Sequence, residues 1–417
     1  MSELERSTSE PIAEGFETAK WAKETQTPPS AFLPEQAERL ASIDAYRGFV
    51  MFLMMAEVLR LRTLASKHWI WERLAYHQTH VEWIGCSLHD MIQPSFSFLV
   101  GVALPFSIAS RRRKGQTPGR MVAHAAWRAL ILTFLGVFLR SVGRPRTNFT
   151  FEDTLSQIGL GYLFLFMLGL AKVRTQVIAL VVILVGYWIA FAAYPIPGDV
   201  SSVVGKSSAS SLSGFEAHWS KNTNIAWKFD TWFLNLFPRD KPFEGNGGGY
   251  ATLSFIPTLG TMILGLLAGN LLRAGGSRWG KVGLLILAGL ISLGAGYGIG
   301  YLGYCPVVKK IWTPTWVLFS GGWCFLFLAG FYATVDLLKL RPVFFPLIVI
   351  GVNSIAAYCV SHLIDDFIVG SYRTHFGKDV FKLFGTDYAP FVQGWGVLAA
   401  LWLILFWMYR KKLYVRI

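Results

Sequence analysis

The chain has 417 residues, 53% hydrophobic and 15% aromatic, with Asp, Glu, Lys and Arg making up only 15%, where a soluble globular domain carries about 25%. That deficit excludes an ordinary cytosolic enzyme, and repeated apolar runs of about 20 residues make lipid the main solvent. Lys and Arg number 39 against 25 Asp and Glu, a net charge of +14, which basic cytoplasmic loops account for, so no nucleic-acid partner is expected.

Residues 1–43 are rich in Ser, Glu, Thr, Pro and Lys and lack a sustained apolar period. They cannot bury enough surface to offset their ordering entropy, which predicts a disordered cytoplasmic tail. With no charged n-region leading into an apolar h-region, insertion is expected to use the first membrane helix. Apolar segments follow at about 46–63, 88–110, 122–140, 154–171, 175–194, 251–273, 280–302, 316–338, 344–363 and 390–409. They predict an all-α polytopic membrane protein with about ten transmembrane helices in one domain over residues 44–417. An even count returns the C-terminus to the side of the N-terminus. The closing Tyr409-Arg410-Lys411-Lys412, with Arg111-Arg112-Arg113-Lys114, Lys172, Arg174, Lys339 and Arg341, marks that side as cytoplasmic. The other face receives the 64–87, 141–153, 303–315 and 364–389 loops and a long insertion at about 195–250. In that insertion Trp219, Trp227, Trp232 and Phe233 suit either stacking on sugar rings or anchoring at the membrane interface.

Cys86, Cys305, Cys324 and Cys359 form no C-x-x-C or Cys/His cluster with zinc spacing. Cys86 and Cys305 fall on the same face, which alone does not make a disulfide. Gly298-Ile299-Gly300-Tyr301-Leu302-Gly303 spells G-x-G-x-x-G inside an apolar helix with no strand before it, so it is not a nucleotide fingerprint. Gly265 with Gly269, and Gly296 with Gly300, fit small-xxx-small helix contacts.

A polar group at membrane depth is costly, which makes it a functional candidate. The first span opens with Ser42-Ile43-Asp44-Ala45-Tyr46-Arg47-Gly48 and carries Glu57 further along. Asp44 suits helix capping and Arg47 interfacial snorkelling, but neither role explains Glu57. A denser set, His77, His80, Glu82, Trp83, His89 and Asp90, runs from an outer loop into the second span. A helix opening near Ser87 puts Asp90 in its first turns and His80 at the water boundary. There a neutral imidazole can deprotonate an amine or hydroxyl, or accept an acyl group; a structural histidine in an aromatic loop is the alternative. The spacing of His77, His80, His89 and Asp90 matches no H-E-x-x-H pattern, so no metal is expected. Glu152, Asp153 and Gln157 at a helix entrance, Asn353-Ser354 within the ninth span, and His362, Asp365 and Asp366 at its outer end either converge on a cavity or bond helices together.

The order of these motifs carries a resemblance. Ser42-Ile43-Asp44-Ala45-Tyr46-Arg47-Gly48, then His80-x-x-Trp83-x-Gly85, then Asp90-Met91-Ile92-Gln93-Pro94-Ser95-Phe96, is followed by Ala126-Trp127-Arg128, Leu155-Ser156-Gln157-Ile158-Gly159 and Asn353-Ser354-Ile355. Over residues 40–417 the series resembles a bacterial-type member of the heparan-α-glucosaminide N-acetyltransferase family of membrane acetyltransferases. The resemblance implies an integral protein of the bacterial cytoplasmic membrane. It also implies transfer of acetyl from cytosolic acetyl-CoA, as co-substrate, to an amino sugar or glycan on the far side through a histidine. His80 falls at that histidine, with Asp90 to orient it. On the same reading Arg47, Arg128 and Gln157 attend the acetyl-CoA. Glu57, Trp83, Asn353, Ser354 and His362 attend the acceptor, His362 lying one position off a family histidine. Gln157 and Asn353 are also candidate oxyanion donors. Val58 stands where the family carries a first-span asparagine, with Glu57 beside it, a departure that bears on the acceptor and on activity. The competing readings are a polytopic transporter or flippase and a non-catalytic acetyl-CoA-binding relative. Membrane lipid and a sugar acceptor are the expected partners, with homo-oligomerisation open.

Overall fold

The computed structural model describes residues 40–196 and 212–415. Its fourteen α-helices in these residues are α1 (Ala41–Met55), α2 (Trp69–His77), α3 (Ile92–Arg113), α4 (Pro118–Ser141), α5 (Thr154–Leu170), α6 (Val173–Ala192), α7 (Ile225–Phe233), α8 (Phe255–Arg273), α9 (Arg278–Tyr301), α10 (Pro314–Phe331), α11 (Phe345–Val352), α12 (Ser354–Leu363), α13 (Asp365–Phe376) and α14 (Ala389–Arg410). Each apolar segment of the sequence forms a helix, and the chain is an all-helical integral membrane protein.

Among the described residues, seven stretches are long and apolar enough to cross a membrane: His89–Arg113, Pro118–Ser141, Val173–Ala192, Thr252–Arg273, Arg278–Tyr301, Pro314–Leu337 and Thr386–Arg410. The pair α11 and α12 makes an eighth if its 82° bend is counted within one span. The other two predicted spans are shorter, 15 residues in α1 and 17 in α5. The first span is cut short because α1 gives way at Ala56 to a 3₁₀ turn that ends on Arg60 in a left-handed conformation, φ 48°. That turn is what swings Glu57 out of the helix line. Large apolar side chains such as Phe134 on α4, Val182 on α6, Ile291 on α9 and Leu403 on α14 remain exposed, as a lipid-facing surface requires.

The expected tail lies outside the described residues up to position 39, while residues 41–43 already belong to α1. Asp336 explains the early start, since its carboxylate accepts the free N–H groups of Ala41 and Ser42 at 3.2 and 3.1 Å, two of the donors that a helix N-terminus leaves unpaired. Asp336 stands at the far end of the α10 span from Pro314, which follows the loop that meets His80. Arg47 reaches the carbonyl of Gly351 at 3.5 Å. At the break between α11 and α12, the amide of Asn353 donates to Leu413 O (2.9 Å) and accepts from Val415 N (3.2 Å). The start of the described chain is thus held by Asp336 and its last residues by Asn353.

Small residues set the tightest helix contacts. A Cβ built on Gly265 of α8 would stand 1.9 Å from Phe98 O of α3, and one on Gly101 1.9 Å from Met262 O. Gly265→Val is expected to cost about 1–3 kcal/mol through forced separation of these helices, seen as a lower melting temperature of the purified protein; an unchanged melting temperature would contradict this packing.

Above the helices on the His80 face lies an aromatic cap. Trp83, Tyr187, Phe191, Trp219, Cys305, Val308 and Ile311 form one buried cluster. Trp83 donates its indole N–H to Trp219 O at 3.1 Å, so the insertion, described from residue 212, clamps the loop that carries His80. Trp227 donates to Glu244 O, Phe233 packs among Phe151, Phe229 and Phe237, and Trp232 is exposed. The four cysteines are free thiols.

Candidate active site

Three segments build the site. The loop from Gln78 to Leu88 carries His80, the turn before α3 carries His89 and Asp90, and the loop from Gly303 to Thr313 carries Lys309. Gly85 N–H donates to Val307 O at 3.1 Å, Ile84 bridges Val308, and Lys310 Nζ donates to Glu82 O at 2.7 Å. These bonds fasten the two loops side by side, which is how Lys309 comes to stand 229 residues away in sequence from a neighbour in space.

His80 Nδ1 lies 2.8 Å from Asp90 Oδ1. A carboxylate has only acceptors, so Nδ1 carries the proton and donates it, leaving Nε2 with a free lone pair. The other carboxylate oxygen accepts from the backbone N–H groups of Val81 (3.2 Å) and Ser87 (3.0 Å). Lys309 Nζ donates to Asp90 Oδ1 at 3.2 Å and stands 3.1 Å from His80 Nδ1. Asp90 and Lys309 are almost fully buried, at 1% and 6% side-chain exposure, while His80 is 40% exposed. The arrangement is thus a buried, paired carboxylate holding an imidazole whose outer edge meets solvent.

Burial is the main influence on His80 and pushes its pKa below the usual histidine value; the Asp90 bond opposes this and the Lys309 charge adds to it. The imidazole is therefore neutral at physiological pH, the form that can take a proton. Lys309 is itself lowered by burial, with Asp90 opposing.

Glu57 joins the site from the 3₁₀ turn after α1. Its Oε1 lies 2.8 Å from His89 Nε2, and the rings of His80 and His89 have centroids 4.6 Å apart. The residues that faced each other only distantly in the sequence, Glu57, His80, His89 and Asp90, form one cluster.

No family model matches the chain. Over 91% of its length it is 22% identical to a curated protein named heparan-alpha-glucosaminide N-acetyltransferase from Homo sapiens, and 20% identical to the protein of the same name from Mus musculus. The chain is similar to both proteins over nearly its whole length. It spans about three fifths of the length of the two relatives, 60% and 61%.

The remaining residues that the acetyltransferase resemblance marks lie elsewhere. Val58 is half-buried and packs against the core, so it is Glu57 of this pair that meets a site histidine. Trp83 is buried in the cap, where it anchors the His80 loop. Gln157 spends both amide hydrogens on Phe151 O and Thr252 O, bracing the start of α5. Asn353 holds the chain end, as described, and Ser354 beside it opens α12. His362 is exposed, stacks on Tyr358 at 4.6 Å and binds Tyr358 O through Nδ1; Tyr358 in turn donates to Asp153 at 2.9 Å. Arg128 donates to Tyr162 Oη at 3.2 Å with its guanidinium over that ring, and Arg47 pairs with Asp44 at 3.2 Å.

Lys309 carries no local mark of its role in the sequence. A lysine in the run Val307-Val308-Lys309-Lys310 reads as a solvated loop charge, and nothing local to it signals burial against Asp90.

Proposed function

We propose that the chain is a transmembrane acetyltransferase that moves acetyl from cytosolic acetyl-CoA to an amino sugar or glycan at the opposite face, with Nε2 of His80 as the reacting nitrogen. The observation that carries this reading is the His80–Asp90–Lys309 arrangement: a neutral imidazole, fixed through Nδ1 by a buried carboxylate and open to solvent on its other edge. The printed names of the two relatives support the acetyl group as the cargo. A transporter does not need a nucleophilic imidazole, so on the competing transport reading activity is expected to survive His80→Ala, whereas acetyl transfer is expected to be lost.

The chemistry follows from that tautomer. The acceptor nitrogen attacks the thioester carbonyl, a C–N bond forms and the C–S bond breaks, while Nε2 takes the amine proton and returns it to the departing thiolate. If the acetyl group rests first on the imidazole, the same nitrogen receives it and then passes it to the amine. Asp90 holds the ring in place and offsets the positive charge that develops on it. Arg47 and Arg128, on the α1 and α4 helices away from His80, are the proposed partners of the phosphates of acetyl-CoA. On this reading the basic face with both chain ends is cytoplasmic, and the membrane is the bacterial cytoplasmic membrane.

The test is transfer of label from acetyl-CoA to a panel of amino sugars and glycans by the purified protein. Turnover with an amine acceptor is expected; binding of acetyl-CoA without turnover on any acceptor would favour a non-catalytic relative, and absence of binding would overturn the reading. Lys309→Met gives a second check. Besides Lys309, the charged or titratable groups around His80 are Asp90, His89 and Glu57. Removing the Lys309 cation leaves Asp90 unopposed, which raises the His80 pKa, so the acid limb of kcat/KM is expected to move to higher pH. An unmoved or lowered limb would contradict the electrostatic role of Lys309.

A further inference from the structure

Glu57, His80 and His89 come from three separate pieces of chain, and one ligand-capable atom from each lies within 4.8 Å of the other two. Two imidazoles and a carboxylate are the donor set of open zinc sites, which leave a fourth position to water. The outer support is also present, because Asp90 holds His80 through Nδ1 at 2.8 Å, the carboxylate–histidine relation that orients a metal-bound ring. His89 is 4% exposed and gives a fixed base, while Glu57 at 58% and His80 at 40% leave the entrance open. The charges of Asp90 and Lys309 offset each other, so the Glu57 carboxylate is left to face a cation.

We propose that Glu57, His80 and His89 bind a divalent transition-metal ion, zinc above all, at the mouth of the site, and that the bound ion blocks the His80 nitrogen needed for acetyl transfer. With metal–ligand bonds of about 2.0–2.2 Å, tetrahedral donors stand roughly 3.4 Å apart. The exposed Glu57 and His80 side chains need to close by an ångström or so. The proton on His89 Nε2 passes to water and Nδ1 carries the ring's one remaining proton, so that a neutral imidazole gives its Nε2 lone pair to the metal. Binding stands on the geometry alone; the blocking of transfer rests on the acetyltransferase reading.

The experiment uses the purified full chain, with Co²⁺ as spectroscopic probe and Zn²⁺ measured by competition with a chelating dye. One ion per chain is expected, with visible bands of a nitrogen and oxygen site and no thiolate charge-transfer band. Glu57→Gln, His80→Gln and His89→Gln are each expected to weaken binding at least roughly tenfold, the lower end of the loss seen when even a supporting residue is removed. Melting of the metal-free variants checks their folding; should the buried His89→Gln fail to fold, the exposed Glu57→Gln carries the test. No bound metal, a thiolate band, or unchanged affinity in the variants would overturn the site. Saturating Zn²⁺ is expected to abolish acetyl transfer and a chelator to restore it. Transfer undiminished with the site filled would overturn the blocking role, whereas metal binding as expected with no transfer by the metal-free protein would overturn the acetyltransferase reading and leave the site standing.

Discussion

Asp90→Asn is expected to lower acetyl transfer by up to roughly 10⁴-fold, the scale of losing a carboxylate that fixes a histidine tautomer, and to destabilise the protein at the same time. The loss of stability comes from Lys309. Its ammonium is almost fully buried and Asp90 is its carboxylate partner at 3.2 Å, so the substitution leaves a buried charge uncompensated, at a cost of about 3–5 kcal/mol. The two effects separate in the double variant. Asp90→Asn with Lys309→Met is expected to recover much of the melting temperature, because the orphaned charge is gone, and none of the turnover, because nothing then fixes the His80 tautomer. A double variant as unstable as the single one would show that Lys309 and Asp90 are not coupled as the geometry requires.

His80→Ala is expected to have the opposite profile, with turnover reduced by roughly 10²–10⁴-fold, the contribution of a positioned acid–base group, and melting close to wild type. The ring is 40% exposed and gives up a single strong contact. After its removal Asp90 still accepts from Val81, Ser87 and Lys309, so no buried charge is stranded. Assayed together, the melting curves and the rates of the two single variants distinguish the reacting group from the group that holds it. Turnover within tenfold of wild type in His80→Ala would remove His80 from the chemistry.

What could be read from the sequence follows from the range of the interactions involved. The membrane helices were legible because their signal is local: twenty apolar residues need no distant partner to declare themselves. Length was harder, since α1 is ended by a turn whose left-handed Arg60 has no sequence mark, and its start is set by Asp336, nearly 300 residues away. His80 and Asp90 were legible as a pair because ten residues and one loop separate them. Glu57 stood out through its cost at membrane depth, but its meeting with His89 depends on how α1 ends. Lys309 was invisible, because it is brought to Asp90 by the bridge between Ile84 and Val308, a contact between loops more than 200 residues apart. Gln157 and Asn353 illustrate the converse case. Their amides looked available for an oxyanion, yet each is engaged by backbone groups that only the folded chain brings near.

The most direct measurement is turnover of labelled acetyl-CoA with an amino-sugar acceptor by the reconstituted wild-type chain and by His80→Gln, whose amide can still donate to Asp90 but offers no basic nitrogen. The wild type is expected to transfer acetyl, and the variant to bind acetyl-CoA without transferring it. Equal transfer by both would contradict the assignment of the chemistry to the His80 imidazole.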